Sequence, residues 1–215
     1  MPTSISALTL ALIGSAVVTS NAASICFKSH QPEDGRRCWS FDVGVAFITS
    51  SNIGEIFSGE FSTADGPAGG EIYSLTATRR LGEFELKLGG HTFHPQLELP
   101  LTLEIVDENS RSPFLDFNAS VVVRWEEFPW NHVVKTTVAT GIGLSYSQHV
   151  YRMDKELHPR SNRSHLKFNW PIQVTFALPS HPDHQLMLYI AHQSGGHVFD
   201  KAGVNSLGIG YRFAY

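Results

Sequence analysis

The chain has 215 residues, of which 42% are hydrophobic and only 17% are charged, and its formal net charge at pH 7 is −4. This length suits a single domain, and the negative balance does not provide the basic surface of a nucleic-acid-binding protein. Two cysteines are too few for a zinc cluster or a disulfide-rich scaffold. Beyond the N-terminus, no apolar run reaches the ~20 residues of a membrane helix. These features disfavour intrinsic disorder and a helical membrane bundle.

The N-terminus has the plan of a secretory signal peptide. Residues 8–18 are apolar apart from small residues, and Ser20-Asn21-Ala22 places small residues where a signal peptidase cleaves. The pattern predicts a signal peptide over residues 1–22, although residues 1–5 contain neither Lys nor Arg.

Residues 23–40 are expected to form a short periplasmic segment in the exported protein. Cys26 and Cys38 would then lie in an oxidising compartment, where disulfides form and persist. A disulfide that closes this short loop and two unpaired thiols are both compatible with the sequence.

Most of the remaining chain alternates apolar and polar residues with a period of two, which is the pattern of β-strands. In one example, Leu97, Leu99, Leu101, Leu103 and Ile105 are separated by single residues that are mostly polar. No comparable stretch shows helical spacing, so the fold class is all-β. We predict eight strands near 41–50, 71–80, 96–106, 115–125, 133–147, 165–178, 184–194 and 204–215.

Alternation alone does not say which face meets water, but three features favour a membrane barrel with its apolar face against lipid. The polar face is rich in Gly, Ala, Ser and Thr, as a narrow filled lumen requires. The final strand, Leu207–Tyr215, alternates and ends on an aromatic residue, which resembles the export signature of bacterial outer-membrane barrels. The third feature is a balanced set of charges on the polar face: Arg124, Lys135, Lys167 and Arg212 against Glu98, Glu104, Asp116 and Glu126.

We therefore predict an eight-stranded antiparallel transmembrane β-barrel over residues 41–215, located in the bacterial outer membrane. A porin is disfavoured because eight strands leave no open channel. The signal peptide and the terminal aromatic strand disfavour a soluble lipocalin-like carrier. The alternating segment Glu83–Leu88 has no place among the eight strands. It would extend the second or third strand or replace the first.

Membrane barrels have short periplasmic turns and longer outer loops. With both termini in the periplasm, two segments become short periplasmic turns, 126–132 and 179–183. Four segments become outer loops: 51–70, 107–114, 148–164 and 195–203.

The eleven histidines of the sequence raise the question of a metal site. The closest pairs are His91-x-x-His94 and His181-x-x-His184, and neither has a Cys or carboxylate partner at a known zinc spacing. We expect surface and turn histidines here, with no metal and no cofactor.

The pair His192 and Ser194 is the candidate for chemistry. Residues i and i+2 of a strand share a face, so both continue the apolar stripe of Leu186, Leu188 and Ile190 toward the bilayer. Serine beside histidine is the nucleophile–base pair of acyl transfer. Across the hairpin, Asn205 has the parity of the lipid-facing residues of the last strand and is expected beside the pair. Polar side chains at headgroup depth are the alternative interpretation.

The stretch 192–213 resembles the C-terminal hairpin of the lipid A 3-O-deacylase (PagL-type) family. Members carry His-x-Ser on the penultimate strand and close on a Gly-x-x-Tyr-Arg-Phe-like strand, matched here by Gly208–Phe213. A weaker likeness to related predicted acyl hydrolases covers residues 124–131 and 141–146. The resemblance implies an eight-stranded outer-membrane esterase that acts on lipid A without a cofactor, with Ser194 as nucleophile and His192 as base.

Two positions depart from the family pattern. Gly195 stands where the family places Asn, and Asn205 stands where it places the acidic Glu. An amide orients a histidine but does not stabilise imidazolium as a carboxylate does. In an active enzyme, Asn205 would orient His192, Asp200 would substitute for the acid if its loop folds back, and the N–H groups of Gly195 and Gly196 would hold the oxyanion. The alternative is a catalytically silent barrel that binds lipopolysaccharide or serves a structural role.

The third outer loop carries an excess of positive charge. Residues 148–164 contain four basic residues and two acidic ones: Arg152, Lys155, Arg160 and Arg163 against Asp154 and Glu156. Arginine matches phosphate through its planar fork of donors, so we expect this loop to bind the phosphates of lipid A. A merely solvated loop is the alternative. The sequence leaves the oligomeric state open.

Overall fold

A computed structural model describes residues 18–19, 38–160 and 162–215. It contains a closed antiparallel barrel in which the last strand pairs with the first, so the predicted fold class is confirmed. Each predicted strand is present and ends within a few residues of its expected position. The strands are β1 (Trp39–Thr49), β2 (Gly70–Glu83), β3 (Gln96–Glu108), β4 (Phe114–Trp125), β5 (Lys135–Ser147), β6 (Leu166–Ala177), β7 (His184–Ser194) and β8 (Gly203–Ala214).

Four connections at one end of the barrel, the loop end, contain two short helices. Helix α1 (Ile53–Ser58) and a 3₁₀ turn, Gly66–Ala68, lie in the first loop, and α2 (Arg152–Leu157) lies in the third. Within the described part of the chain, no helix has the length and hydropathy needed to cross a membrane.

The opposite end, the turn end, carries the termini of the barrel and the segment that sequence analysis could not place. Glu83 ends β2, whereas Glu85–Leu88 pairs with His91–Phe93 in a separate short hairpin between β2 and β3. Gly89 and Gly90 both have positive φ, 58° and 81°, as a tight two-residue hairpin turn requires. The segment therefore does not replace the first strand.

Most of the N-terminal region lies outside the described residues, and with it most of the predicted signal peptide (1–22) and periplasmic segment (23–40). Val18–Thr19 pairs with the first strand of the short hairpin. Cys38, directly before β1, is disulfide-bonded. Cys26, the other cysteine of the sequence, lies outside the described residues. Cys38 is therefore not a free thiol.

The barrel is apolar outside and polar inside, as predicted. Val43, Leu75 and Ile142 are 52%, 54% and 64% exposed on the outer surface, whereas Asp116 and Thr137 are fully buried in the lumen. A soluble barrel would reverse this arrangement, because its apolar residues would fill the interior. The exposed apolar surface is the one that a bilayer covers.

A network of paired charges fills the lumen toward the turn end. Arg124 Nε donates to both carboxylate oxygens of Glu98 at 3.0 Å, and Arg124 Nη1 donates to Thr137 Oγ1 at 2.8 Å. Arg212 joins the same carboxylate at 2.9 Å and reaches Asp42 at 3.3 Å. The network links β1, β3, β4 and β8, and each charge within it has a partner of opposite sign.

We expect Glu98→Ala to destabilise the barrel by about 3–5 kcal/mol, because it leaves two buried guanidinium groups short of a carboxylate. The measurement is urea unfolding of the detergent-reconstituted barrel, followed by tryptophan fluorescence. The matched control is Glu126→Gln, whose partly exposed carboxylate lies 3.8 Å from Lys135 Nζ and should contribute less than about 1 kcal/mol. Equal unfolding midpoints for the two variants would contradict this account of the lumen.

Candidate active site

The β7–β8 hairpin places the predicted residues together. His192 pairs with Asn205, and Ser194 pairs with Gly203. Between them, Gln193 points into the lumen, where its Nε2 donates to Asp116 Oδ2 at 3.0 Å. Strand alternation then directs His192 and Ser194 outward, near the loop end of the barrel, as expected from their spacing.

One hydrogen-bond chain orients His192. The Nδ1 atom of His192 lies 2.6 Å from Asn205 Oδ1, and Asn205 Nδ2 donates to the backbone carbonyl of Ser51 at 2.8 Å. A carbonyl oxygen only accepts, so the amide NH₂ must face Ser51 and the amide oxygen must face the ring. Nδ1 therefore carries the proton, and Nε2 keeps a free lone pair as a general base requires.

Trp170 holds the other side of the imidazole. It is the neighbour of His192 on β6, and the two rings meet edge to face, with centroids 6.0 Å apart. The indole Nε1 donates to Thr140 Oγ1 at 2.8 Å, which fixes the Trp170 side chain on the lipid side. Sequence analysis did not single out Trp170, because cross-strand neighbours depend on the register between β6 and β7.

Two cavities meet at the histidine and serine. A cavity of about 620 Å³ lies under the first, third and fourth loops, and we call it the polar cavity because most of its lining residues are polar or charged. An apolar cavity of about 360 Å³ lies on the outer wall against β5 and β6. His192, Ser194 and Gly196 line both cavities. An ester held at Ser194 would therefore have a polar space for its alcohol side and an apolar space for its acyl chain.

Four ionisable residues of the polar cavity were missed by sequence analysis. They come from three separate loops, and no sequence spacing links them. They are Glu55, His158, His197 and Lys201.

The structure corrects one half of the predicted oxyanion site. The N–H of Gly195 donates to the carbonyl of Ala202 at 2.9 Å and is therefore already used within the turn. A Cβ at position 195 would lie 2.0 Å from Asp200 Oδ1, so an Asn here would collide with the loop. Gly196, with φ of 57°, lines both cavities and remains the candidate amide.

Asp200 does not substitute for the missing acid, because its carboxylate is used elsewhere. Its Oδ2 accepts from Lys167 Nζ at 2.7 Å and from the N–H of Ser164 at 2.8 Å, and its Oδ1 accepts from the N–H of Ala202 at 2.9 Å. Burial alone would raise the pKa of Asp200, but the hydrogen bonds from Lys167 and the two N–H groups hold that pKa below its ordinary value. Lys167 also contacts Asp154 at 3.0 Å, so it ties the third loop to the fourth.

The four cations predicted to bind phosphate divide into two pairs. Arg152 donates to the carbonyl of Ser110 at 3.4 Å, and Arg163 donates to the carbonyl of His158, so these two connect segments of the loop end. Lys155 and Arg160 are exposed. The structure thus leaves Lys155 and Arg160 better placed than the other two for an external ligand.

The sequence matches the lipid A 3-O-deacylase (PagL) family over residues 72–214. The chain belongs to this family. The crystal structure of the outer membrane enzyme PagL superimposes with a TM-score of 0.55 at 14% identity, covering 81% of this chain and 99% of that one. Neisserial surface protein A matches with a TM-score of 0.46 at 11% identity, covering 82% and 97% of the two chains. No curated protein matches the sequence significantly.

Membership of the PagL family confirms the resemblance given by the C-terminal hairpin, and the barrel is an outer-membrane barrel. It also supports lipid A deacylation as the activity of the chain.

We expect acid to release the connection between the third and fourth loops. Because the folded-state pKa of Asp200 is depressed, its contribution to loop stability is complete above the unfolded pKa of about 3.9 and is lost as the pH falls through the lower folded value. The protection factors of amides 195–202, which correct for the pH dependence of intrinsic hydrogen exchange, should therefore be high at neutral pH and fall below about pH 4.

Asp200→Ala should show fast exchange already at neutral pH, whereas Glu156→Ala, an exposed carboxylate of α2, should behave as the wild type. Slow exchange in Asp200→Ala would contradict the proposed contribution of this carboxylate.

Proposed function

We propose that this protein is an outer-membrane esterase that removes a 3-O-linked acyl chain from lipid A by a Ser/His mechanism at the lipid-facing outer rim. One observation carries the proposal: His192, with Nδ1 committed to Asn205, shares an outward face with Ser194 between a polar and an apolar cavity. Lipid A has a sugar headgroup and acyl chains, and these two cavities match its two parts.

In the proposed reaction, Ser194 Oγ attacks the ester carbonyl while His192 Nε2 takes the hydroxyl proton. The N–H of Gly196 donates to the oxyanion of the tetrahedral intermediate. When this intermediate collapses, the imidazolium returns the proton to the departing sugar oxygen, which leaves an acyl-serine. Water then attacks the acyl group while His192 takes its proton. Collapse of this second intermediate releases the fatty acid, and the imidazolium returns the proton to Ser194 Oγ.

Asn205 keeps His192 oriented in both steps of the proposed reaction. Its Oδ1 accepts from Nδ1 of His192, so the ring keeps its orientation while Nε2 gains and loses a proton. Among the described residues, Ser194 Oγ makes no hydrogen bond to His192. The serine must therefore turn toward Nε2 when the substrate binds, as happens in many unliganded sites.

The second candidate is a catalytically silent barrel that binds lipopolysaccharide or serves a structural role. The neutral Asn205 at the family's acidic position favours it, because an amide stabilises imidazolium less than a carboxylate does. The hydrogen bond between Asn205 and His192 favours the esterase, because the position still orients the base.

We expect Ser194→Ala and His192→Ala each to reduce deacylation by at least about a thousandfold, because base and nucleophile act as one unit. Both side chains lie at the rim and are only partly buried, so the barrel should still fold. Mass spectrometry of lipid A from cells expressing each variant is the measurement.

The matched control is Ser206→Ala, whose side chain lies on the neighbouring strand but faces the lumen. Deacylation that survives Ser194→Ala would overturn the mechanism. A wild-type protein without deacylation would support the silent barrel.

We further propose that the third outer loop contacts the phosphates of lipid A. The double variant Lys155→Gln/Arg160→Gln should weaken association with lipopolysaccharide vesicles, and the difference from wild type should shrink as salt is added. The control is Lys87→Gln, an exposed lysine of the hairpin at the opposite end, which should bind as the wild type. Unchanged binding of the double variant would show that the loop is only solvated.

A further inference from the structure

The second hydrogen bond of Asn205 leads out of the β7–β8 hairpin into the first outer loop. Its acceptor, the carbonyl of Ser51, belongs to the same peptide group as the N–H of Asn52. That N–H donates to Glu55 Oε2 at 2.9 Å. Since the two ends of a trans peptide point in opposite directions, Asn205 and Glu55 hold this one planar group from its two sides.

The result is a continuous chain of hydrogen bonds from an imidazole to a carboxylate. It runs from His192 Nδ1 to Asn205 Oδ1 over 2.6 Å, from Asn205 Nδ2 to the Ser51 carbonyl over 2.8 Å, and from the Asn52 N–H to Glu55 over 2.9 Å. All donors point the same way along the chain, so each bond polarises the next.

We propose that Glu55 is the remote acidic residue of this site, a positioning residue that acts on His192 through the Ser51–Asn52 peptide and the Asn205 amide. The inference rests on the proposed function, because it assigns Glu55 the part that a direct carboxylate partner plays in other sites. Glu55 lines the polar cavity together with His192, so this carboxylate lies at the site.

This chain of hydrogen bonds matters because the side-chain amide of Asn205 has two possible orientations, related by exchange of its oxygen and nitrogen. If the amide turned over, its Nδ2 would face Nδ1 of the ring and would require the proton on Nε2, which could then not accept from Ser194. In that orientation the amide oxygen would face the Ser51 carbonyl oxygen, and the two acceptors would repel. The direction of the Ser51 carbonyl therefore decides the tautomer of His192.

Two side chains of the first loop segment hold that direction: the Thr49 hydroxyl donates to the Ser51 carbonyl at 3.4 Å, and Glu55 accepts from the N–H at the other end of the same peptide. If the Ser51–Asn52 peptide rotated, the Asn52 N–H would lose the carboxylate. The rest of the segment is anchored independently: Ser51 is buried, its Oγ accepts from the N–H of Ser62 at 2.9 Å, and Thr49 bridges to Thr63. These contacts fix the position of the Ser51 carbonyl beside β8.

The simpler interpretation is that Glu55 only caps α1. Asn52 Oδ1 accepts from the Glu55 N–H at 3.0 Å, and together with the bond from the Asn52 N–H this forms a capping box. Both interpretations predict that Glu55→Ala weakens the short helix. Only the hydrogen-bond chain predicts that the same change alters the tautomer of His192.

The test is ¹⁵N NMR of the histidine side chains in the full chain, folded in detergent, at a pH where the rings are neutral. The His192 signals are identified by their loss in His192→Ala. Wild type should show the proton on Nδ1 alone. Glu55→Ala and Asn205→Ala should show a mixture of tautomers, whereas Glu55→Gln, which keeps an acceptor for the Asn52 N–H, should resemble the wild type. Glu60→Gln, an exposed carboxylate of the same loop, is the matched control.

Lipid A deacylation gives the second readout. Glu55→Ala should lower kcat about tenfold, the effect of one lost hydrogen bond, with KM unchanged, and Glu55→Gln should restore most of it. A His192 tautomer that is the same in Glu55→Ala and wild type would overturn the proposal and leave Glu55 as a helix cap. Because the NMR readout needs no turnover, a wild type without deacylation would overturn the esterase and not the hydrogen-bond chain.

Discussion

The hydrogen bond between Gln193 and Asp116 inside the barrel determines where the candidate site lies. Strand alternation allows His192 and Ser194 to face lipid only if Gln193 faces the lumen, and the lumen accepts Gln193 because Asp116 offers it an acceptor. Asp116 also accepts from Ser145 and Tyr151, so it connects β4, β5, β7 and the third loop. The polar interior thus holds the outward site in place.

The membrane environment also explains why apolar residues lie outside the barrel and polar residues lie inside it. A barrel in lipid gains little by burying apolar side chains within itself, so its lumen is filled by groups that need one another. Arg124 and Arg212 share Glu98, and Lys167 lies between Asp154 and Asp200. Each of these cations is satisfied by carboxylates from other parts of the chain, so these charges are buried as pairs.

Membership of the PagL family and the neutral Asn205 together define what is particular to this chain. Where the family pattern places an acidic residue next to the histidine, this protein has an amide between the ring and a loop carbonyl. The amide is a weaker partner for imidazolium, but it transmits an orientation from one hydrogen bond to the next. In the proposed site, the first outer loop is therefore part of the apparatus that sets His192, and not only a cover for the barrel.

The sequence by itself determined the strands, their faces and the shared side of His192, Ser194 and Asn205. These follow from a period of two, which is a local property of extended backbone and can be counted along the chain. The hairpin residues could likewise be expected together because one short loop joins their strands. The separate hairpin at 85–93 could not be placed in this way, because its alternation is the same as that of a barrel strand.

Only the tertiary structure decided which distant residues surround the site. Ser51 and Asn205 are 154 positions apart and meet because barrel closure sets β1 beside β8. Trp170 reaches His192 through the register of β6, and Asp200 turns to Lys167 and away from the histidine. No spacing in the sequence encodes these contacts, because each depends on strand register and loop packing that exist only once the barrel has closed.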